Sequence, residues 1–399
     1  MADAIDAHTG ELKRLLTAEQ GKTLDDAAME IFGATCWLRE TAMLTLPEVV
    51  NEDSADRLSI TRHVPLGVVA AIAPWNFPLG LASYKLGPAL LAGNTVVLKP
   101  SPFTPLTTLT VGELLRDVLP PGVLNVVSGG DDLGPWITAH PGIDKNGFTG
   151  STQTGRKVMA SAAATLKRVT LELGGNDPAI VLPDVDVETV ARQLFWGAFH
   201  TTGQVCLTAK RVYVHADVYD VFQQALVAIA KTVRVGNGAE EGVQLGPIQN
   251  RPQYERVLDL IRDSHEQGHD FLIGGLPEER QRYFVPLTII DNPPEDSRVV
   301  REEQFGPVLP LLKFDDIEDA IARANDCEYG LGASVWSANT EEALSVGRRL
   351  EAGTVWINEI LHLSPLVTFA GHKQSGVGVE SGAEGLLEYT VPQTITVCR

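Results

Sequence analysis

At 399 residues the chain is too long for one ordinary core and is expected to form two or three domains. Hydrophobic residues make up 44% and charged residues 21%, the balance of a globular protein and not of a disordered or fibrous one. The net charge of −19, with no Lys/Arg cluster rising above it, excludes a nucleic-acid binder and points to small molecules or further copies of the chain as partners.

The first 26 residues are polar and charged and lack the basic and apolar regions of a signal peptide. No run approaches the roughly 20 apolar residues of a membrane helix. Cys36, Cys206, Cys327 and Cys398 form no CxxC or Cys/His pattern, so neither a disulfide framework nor a metal site is expected. These features predict a cytoplasmic protein without a metal. Between residues 3 and 39, Leu12, Leu15, Leu16, Leu24, Ala28, Ile31 and Phe32 recur at helical intervals and predict two helices broken near Gly21. A polar turn at Asn51-Glu52-Asp53 followed by alternation through Leu58-Ser59-Ile60-Thr61 predicts a protruding hairpin over 47–64.

Residues 67–73 are continuously apolar and end at a proline, as a parallel strand buried on both faces does. A helix over 79–91, a strand over 94–99, a helix over 106–119 and a strand over 123–127 follow. Another strand ends at Thr149, before a helix beginning near Ser151. Strands alternating with helices of this length need crossover connections, so the fold class is α/β with a parallel sheet. The second half repeats the rhythm, with strands over 179–182, 211–214, 271–273, 308–311 and 353–357 and amphipathic helices over 218–233 and 253–267. The first domain boundary falls at Gly174-Gly175.

Chemistry concentrates at the ends of these elements. Ala73-Pro74-Trp75-Asn76-Phe77-Pro78 closes a buried strand with an amide held between prolines, and a rigid Asn donor there suits an oxyanion hole. Lys99 and Ser101 end the next strand, at the edge of a parallel sheet where ligands bind. In Phe148-Thr149-Gly150-Ser151-Thr152-Gln153-Thr154-Gly155, a strand-to-helix turn with glycines five apart offers backbone N–H groups and Ser151 to a pyrophosphate, although it is not GxGxxG. Glu172, followed by Leu173-Gly174-Gly175, is a candidate base. Cys206, in the turn His200-Thr201-Thr202-Gly203-Gln204-Val205-Cys206-Leu207 before a strand, is a candidate nucleophile. Glu303 and Phe305, two residues apart, can hold a ribose and pack on a nicotinamide ring. Each has a plainer reading when taken alone: a turn Asn, a solvated Lys or Glu, an ordinary N-cap, a small core Cys.

As a set and in this order, Asn76, Lys99, Gly150/Ser151, Glu172, Cys206 and Glu303/Phe305 resemble the motifs of the NAD(P)-dependent aldehyde dehydrogenase superfamily. The resemblance runs from about Leu12 to the C-terminus and includes Gly353-Thr354-Val355-Trp356-Ile357-Asn358 and Gly371-His372-Lys373-Gln374-Ser375-Gly376. It implies that Cys206 attacks an aldehyde, that Asn76 and the Cys206 N–H hold the oxyanion, and that Glu172 activates the water that hydrolyses the thioester. Lys99, Ser101, Gly150, Ser151, Gly155, Leu173, Glu303, Trp75 and Phe305 are implied at the cofactor, NAD with NADP left open. Phe77, Tyr84, His200 and Phe369 are implied along a channel for a medium-sized aromatic or apolar aldehyde. Acylating relatives that use coenzyme A generally lack the carboxylate at 172, so the implied product is a free acid.

The implied fold has a Rossmann-like cofactor domain (1–46 and 66–174), an α/β catalytic domain (175–370) and small bridging strands (47–65 and 388–399) through which members form homodimers or homotetramers. Three departures stand out. Family chains begin well upstream of Met1, so the outer N-terminal part of the cofactor domain is expected to be missing. Pro102 stands where many NAD-specific members carry a glutamate, and Ala370 replaces a more usual glycine. An alternative to an active enzyme is therefore a shortened relative without turnover, serving as a structural or regulatory partner.

Overall fold

A computed structural model describes residues 1–277 and 282–399. Three helices, not two, open the chain: Ala2–Asp6, Thr9–Gln20 and Leu24–Thr41. The break at 21 falls as expected, because Gly21 takes the left-handed C-cap conformation at φ 97°. The extra break lies at His8, whose non-helical backbone ends the first short turn.

The first large sheet has the order Gly376–Val377, Arg168–Glu172, Lys145–Thr149, Val68–Ile72, Thr95–Lys99, Leu124–Val126. Four of its five strand pairs are parallel, and only Gly376–Val377 is antiparallel, paired to Leu171 and Glu172. The chain runs outward from Val68–Ile72 to Leu124–Val126, then returns to the other side of Val68–Ile72. The strand ends at 72, 99, 149 and 172 therefore lie along one carboxyl edge, the side on which open parallel sheets bind ligands. A core of Val69, Ala71, Val96, Leu98, Ala82, Leu86 and the N-terminal helices backs this sheet, and Leu386 and Tyr389 from the far end of the chain complete it.

The second sheet has the order Asp270–Ile273, Thr288–Asp291, Val308–Phe314, Ala209–His215, Asp177–Val181, Gly332–Trp336, Thr354–Ile357. It is parallel except for its first pair. Apolar cores cover both faces, one around Tyr213, Val257 and Leu312 and one around Phe195, Val212 and Phe222. A third sheet stands apart: Glu48–Asp53, Arg57–Pro65 and Thr390–Cys398 are antiparallel, with Thr390 opposite Pro65 and Cys398 opposite Arg57. Among its residues Val49, Val50, Ile395 and Val397 are exposed.

Several elements depart from expectation. The helix Leu106–Leu114 ends five residues early. The helix Leu133–Ala139 was hidden by Gly134 and Pro135, and the strand Gly332–Trp336 by its small residues Gly332, Ala333 and Ser334. Among the described residues no helix is long and apolar enough to cross a membrane, and no cluster of His, Cys, Asp and Glu is arranged to hold a metal.

Candidate active site

The two large sheets meet at the Gly174-Gly175 junction, and a cavity of about 730 Å³ opens beside it. Asn76, Phe77, Tyr84, Glu172, Leu173, His200, Cys206 and Phe369 all line it, although they come from six separated segments. Asn76 extends from the strand Val68–Ile72, Glu172 ends the strand Arg168–Glu172, and Cys206 precedes the strand Ala209–His215. The carboxyl edge of one sheet thus faces the amino end of a strand in the other.

Cys206 sits on a stressed turn. Thr201 and Thr202 have φ of 49° and 60°, and Gly203 follows at 70°. A left-handed conformation at a non-glycine residue costs about 1–3 kcal/mol, a cost usually met at functional sites. Gly203 is obligatory there, since a Cβ would lie 2.3 Å from the Gly306 carbonyl oxygen. Among the described residues the Cys206 N–H has no acceptor. The Asn76 amide, 3% exposed, donates one hydrogen to the Gln204 carbonyl at 2.9 Å, which ties it to the Cys206 turn. A primary amide carries two donors, so the second is available to a ligand oxygen. Two unengaged donor hydrogens, one on the Asn76 amide and one on the Cys206 peptide, thus remain at the cysteine turn.

Glu172 is 4% exposed, and neither carboxylate oxygen has a hydrogen-bond partner among the described residues. Burial pushes its pKa well above the ordinary value, the Glu380 charge adds to the rise, and Lys85 opposes it. Such a carboxyl is poised as a base. The Cys206 thiol is likewise pushed up, to about 12, first by burial, with Lys210 pulling it down and Asp177, Glu303 and Glu172 adding to the rise.

The cavity walls are apolar and aromatic. Tyr84 stacks on Trp37 with centroids 4.1 Å apart, and Phe77 stacks on His200 at 6.2 Å. Burial lowers the His200 pKa against the pull of Asp26, so the ring enters the wall uncharged near neutral pH.

The remaining candidates lie outside this cavity. Trp75 and Phe305 meet edge to face at 5.3 Å, and Phe305 takes φ 48° to do so. Lys99 is 6% exposed with its ammonium 3.3 Å from its neighbour Pro100 O, and no carboxylate within ion-pair reach among the described residues. Burial lowers its pKa, opposed by Asp131. Glu303 accepts from Gly175 N at 3.0 Å through Oε1, while Oε2 takes no hydrogen bond among the described residues. Ser101 turns its hydroxyl to Phe103 N, and Ser151 caps the helix Thr152–Ala163 by accepting from Thr154 N. The Gly150 N–H is taken by the Glu172 carbonyl. Gly155 meets the sheet rather than open space, since a Cβ there would lie 2.5 Å from Leu173 Cδ2. A buried lysine without a carboxylate partner among the described residues, a half-buried glutamate with one oxygen unengaged and a 12-residue helix starting at Thr152 suit a ligand with hydroxyl and phosphate groups.

Sequence reasoning missed two buried ion pairs at the cavity. Lys22 and Glu30, both side chains fully buried, pair at 2.5 Å. Lys22 also donates to Asn76 O at 2.9 Å and lies over the Phe77 ring, while Glu30 accepts from Leu79 N and Gly80 N. Lys85 pairs with Glu380 at 2.5 Å behind Glu172. Signals existed: Lys85 is the one charge in the apolar run 79–91, and Glu30 lies on the core-facing side of its helix with Ala27, Ile31 and Ala34.

Known proteins share this sequence and this fold. The family model described as "Aldehyde dehydrogenase family" matches residues 1–395. The chain is 43% identical to Aldehyde dehydrogenase LUC3 of a Fusarium species over 390 residues, 97% of this chain and 82% of that protein. It is 42% identical to phenylacetaldehyde dehydrogenase of Pseudomonas fluorescens over 413 aligned residues, covering all of this chain and 82% of that protein. The NAD+ complex structure of aldehyde dehydrogenase from Bacillus cereus superposes with a TM-score of 0.96 at 39% identity, covering all of this chain and 82% of that one. The chain belongs to the aldehyde dehydrogenase family.

Proposed function

We propose that this enzyme oxidises an aromatic or apolar aldehyde to the free carboxylic acid with NAD, through a covalent intermediate on Cys206. The observation that carries the reading is the convergence of Cys206, Asn76 and Glu172 on one apolar cavity, with an N–H at Cys206, a second amide hydrogen at Asn76 and both Glu172 oxygens unengaged.

The Cys206 thiol, pushed up to about 12 by burial, must lose its proton to react, and Glu172, which lines the same cavity and whose pKa burial raises, is the base for that proton. Sulfur attack on the carbonyl carbon gives a thiohemiacetal. Its oxyanion takes hydrogen bonds from the free Asn76 hydrogen and the Cys206 N–H, donors fixed before the charge develops. NAD, when bound, supplies the hydride acceptor. Glu172, once it has passed the thiol proton to solvent, removes a proton from water, which attacks the Cys206 thioester, breaks the C–S bond and releases the acid and the Cys206 thiolate. Lys99 and Glu303 Oε2 would hold ribose hydroxyls, the turn from Gly150 with the start of the helix Thr152–Ala163 the phosphates, and Trp75 and Phe305 the approach to the ring. Gly155 and Leu173 hold that helix against the sheet, and Ser101 shapes the turn after Lys99.

Phe77, Tyr84, His200 and Phe369 favour a substrate of medium size, and the similarity to a phenylacetaldehyde dehydrogenase supports this choice. The division into a nucleotide domain, a catalytic domain from residue 175 and bridging strands is supported by the separation of the six-stranded, seven-stranded and three-stranded sheets. The exposed third sheet, with apolar side chains and open strand edges, supports assembly as a homodimer or homotetramer. The test is oxidation of phenylacetaldehyde, benzaldehyde and propanal with NAD and then NADP, followed by NADH or NADPH absorbance, on wild type, Cys206→Ala and Glu172→Gln. Cys206→Ala loses turnover, and Glu172→Gln slows acid release. Unchanged steady-state rates in both variants would remove the mechanism.

A further inference from the structure

The proposed chemistry leaves one buried cation beside the nucleophile without a task. Lys210, 3% exposed, donates to Cys206 O at 2.6 Å and Val205 O at 3.0 Å, with Thr208 O at 3.5 Å. The same nitrogen stands 3.8 Å from Glu303 Oε1. An ammonium has three hydrogens, and here its two shortest bonds go to the peptide carbonyls of the cysteine turn. The junction of the sheets closes around this contact. Gly175 donates to the same Glu303 oxygen, and a Cβ on Gly175 would lie 2.8 Å from Cys206 O.

A plainer role would be to neutralise buried carboxylates. Asp177, 3% exposed, is pushed up to about 7 by burial, and Lys210 is the main charge pulling it back. Neutralisation alone, however, asks only for proximity to carboxylates. The observed geometry instead places the ammonium between the carbonyl of the nucleophile and the inner oxygen of Glu303, whose outer oxygen remains available. A shift of the Glu303 carboxyl on taking a ribose hydroxyl therefore changes what holds the Cys206 peptide.

We propose that Lys210 is a positioning residue that couples the Cys206 turn to Glu303, so that nucleotide binding at Glu303 alters the reactivity of the sulfur. The inference rests on the reading of Glu303 as a ribose holder. Coupling between two sites typically runs at about five-fold or more in affinity.

The test alkylates the full-length protein with iodoacetamide, follows the Cys206 peptide by mass spectrometry to separate it from Cys36, Cys327 and Cys398, and records melting temperature alongside. Wild type, Lys210→Met, Glu303→Gln and the double variant are each measured with and without saturating NAD. In wild type the two alkylation rates differ by about five-fold or more. In Lys210→Met the ratio falls to within about two-fold of one while NAD still raises the melting temperature, and the double variant goes no further. A purely structural lysine would lower the melting temperature and leave the ratio at its wild-type value. That result in folded Lys210→Met, or in Glu303→Gln if the first variant does not fold, overturns the coupling. A wild type that NAD stabilises without any change in alkylation overturns the coupling alone, and one that NAD does not stabilise removes the cofactor reading with it.

Discussion

Replacing Asn76 by alanine removes one hydrogen bond seen in the structure and one proposed for the reaction. The first is the 2.9 Å bond to Gln204 O, buried between two loops, and leaving that carbonyl unpaired costs about 1–3 kcal/mol of stability. The second is the donor to the developing oxyanion, whose loss lowers kcat by about 10²–10³, or roughly 3–4 kcal/mol. The two effects separate experimentally. Melting temperature reads the first, and the NADH burst with phenylacetaldehyde reads the second. Asn76→Asp keeps the shape but turns a donor into an acceptor, so it should lose the burst at least as fully as alanine does. Cys206 alkylation, which builds no oxyanion, should change far less than the burst in both variants. A burst rate within about three-fold of wild type in folded Asn76→Ala would refute the assignment, since that is far below what one oxyanion donor contributes.

Because burial raises the Glu172 pKa, its neutral form is favoured in the folded protein, and acid release should accelerate as pH rises through that raised value; Glu172→Gln should flatten that limb of the kcat profile. The same shift makes ionised Glu172 destabilising, so stability contributed by the protonated form is lost as pH rises. The melting temperature of Glu172→Gln relative to wild type should therefore be higher at pH 9 than at pH 6. Gly203→Ala combines a left-handed φ of 70° with a backbone clash at 2.3 Å, and should abolish soluble expression or lower the melting temperature more than Asn76→Ala. Lys22→Met leaves Glu30 as an unpaired buried charge, a loss of about 3–5 kcal/mol by chemical denaturation, whereas Glu30→Gln should cost less because it can still accept from Leu79 N and Gly80 N.

The alternation of strands with helices made the parallel sheet over 68–172 legible, because Val68–Ile72, Thr95–Lys99 and Leu124–Val126 lie in short apolar runs bounded by Gly, Pro or Asn. Asn76, Glu172 and Cys206 were legible only as a set: each alone has a plainer structural reading, and their order and flanking residues carried the family resemblance. The ion pairs Lys22–Glu30 and Lys85–Glu380 were not, since periodicity places a residue on a face without naming its partner, and the second pair joins residues 295 positions apart. Ser151 and Gly155 show the opposite limit. Their motif was visible, yet the hydroxyl is engaged as a helix cap and the glycine is fixed by the approach of Leu173. The strand Gly332–Trp336 escaped because a fully enclosed strand built on small residues carries no alternation to read.

The pairing of Thr390–Cys398 with Arg57–Pro65 reaches across most of the polypeptide, with Ser59 bonded to Thr396 over 337 positions. Leu386 and Tyr389, just before that strand, close the core beneath the N-terminal helices. During synthesis, the first sheet therefore emerges from the ribosome long before the residues that seal it. Its apolar underside stays open until Leu386 and Tyr389 arrive, a contact of high sequence separation of the kind that slows folding.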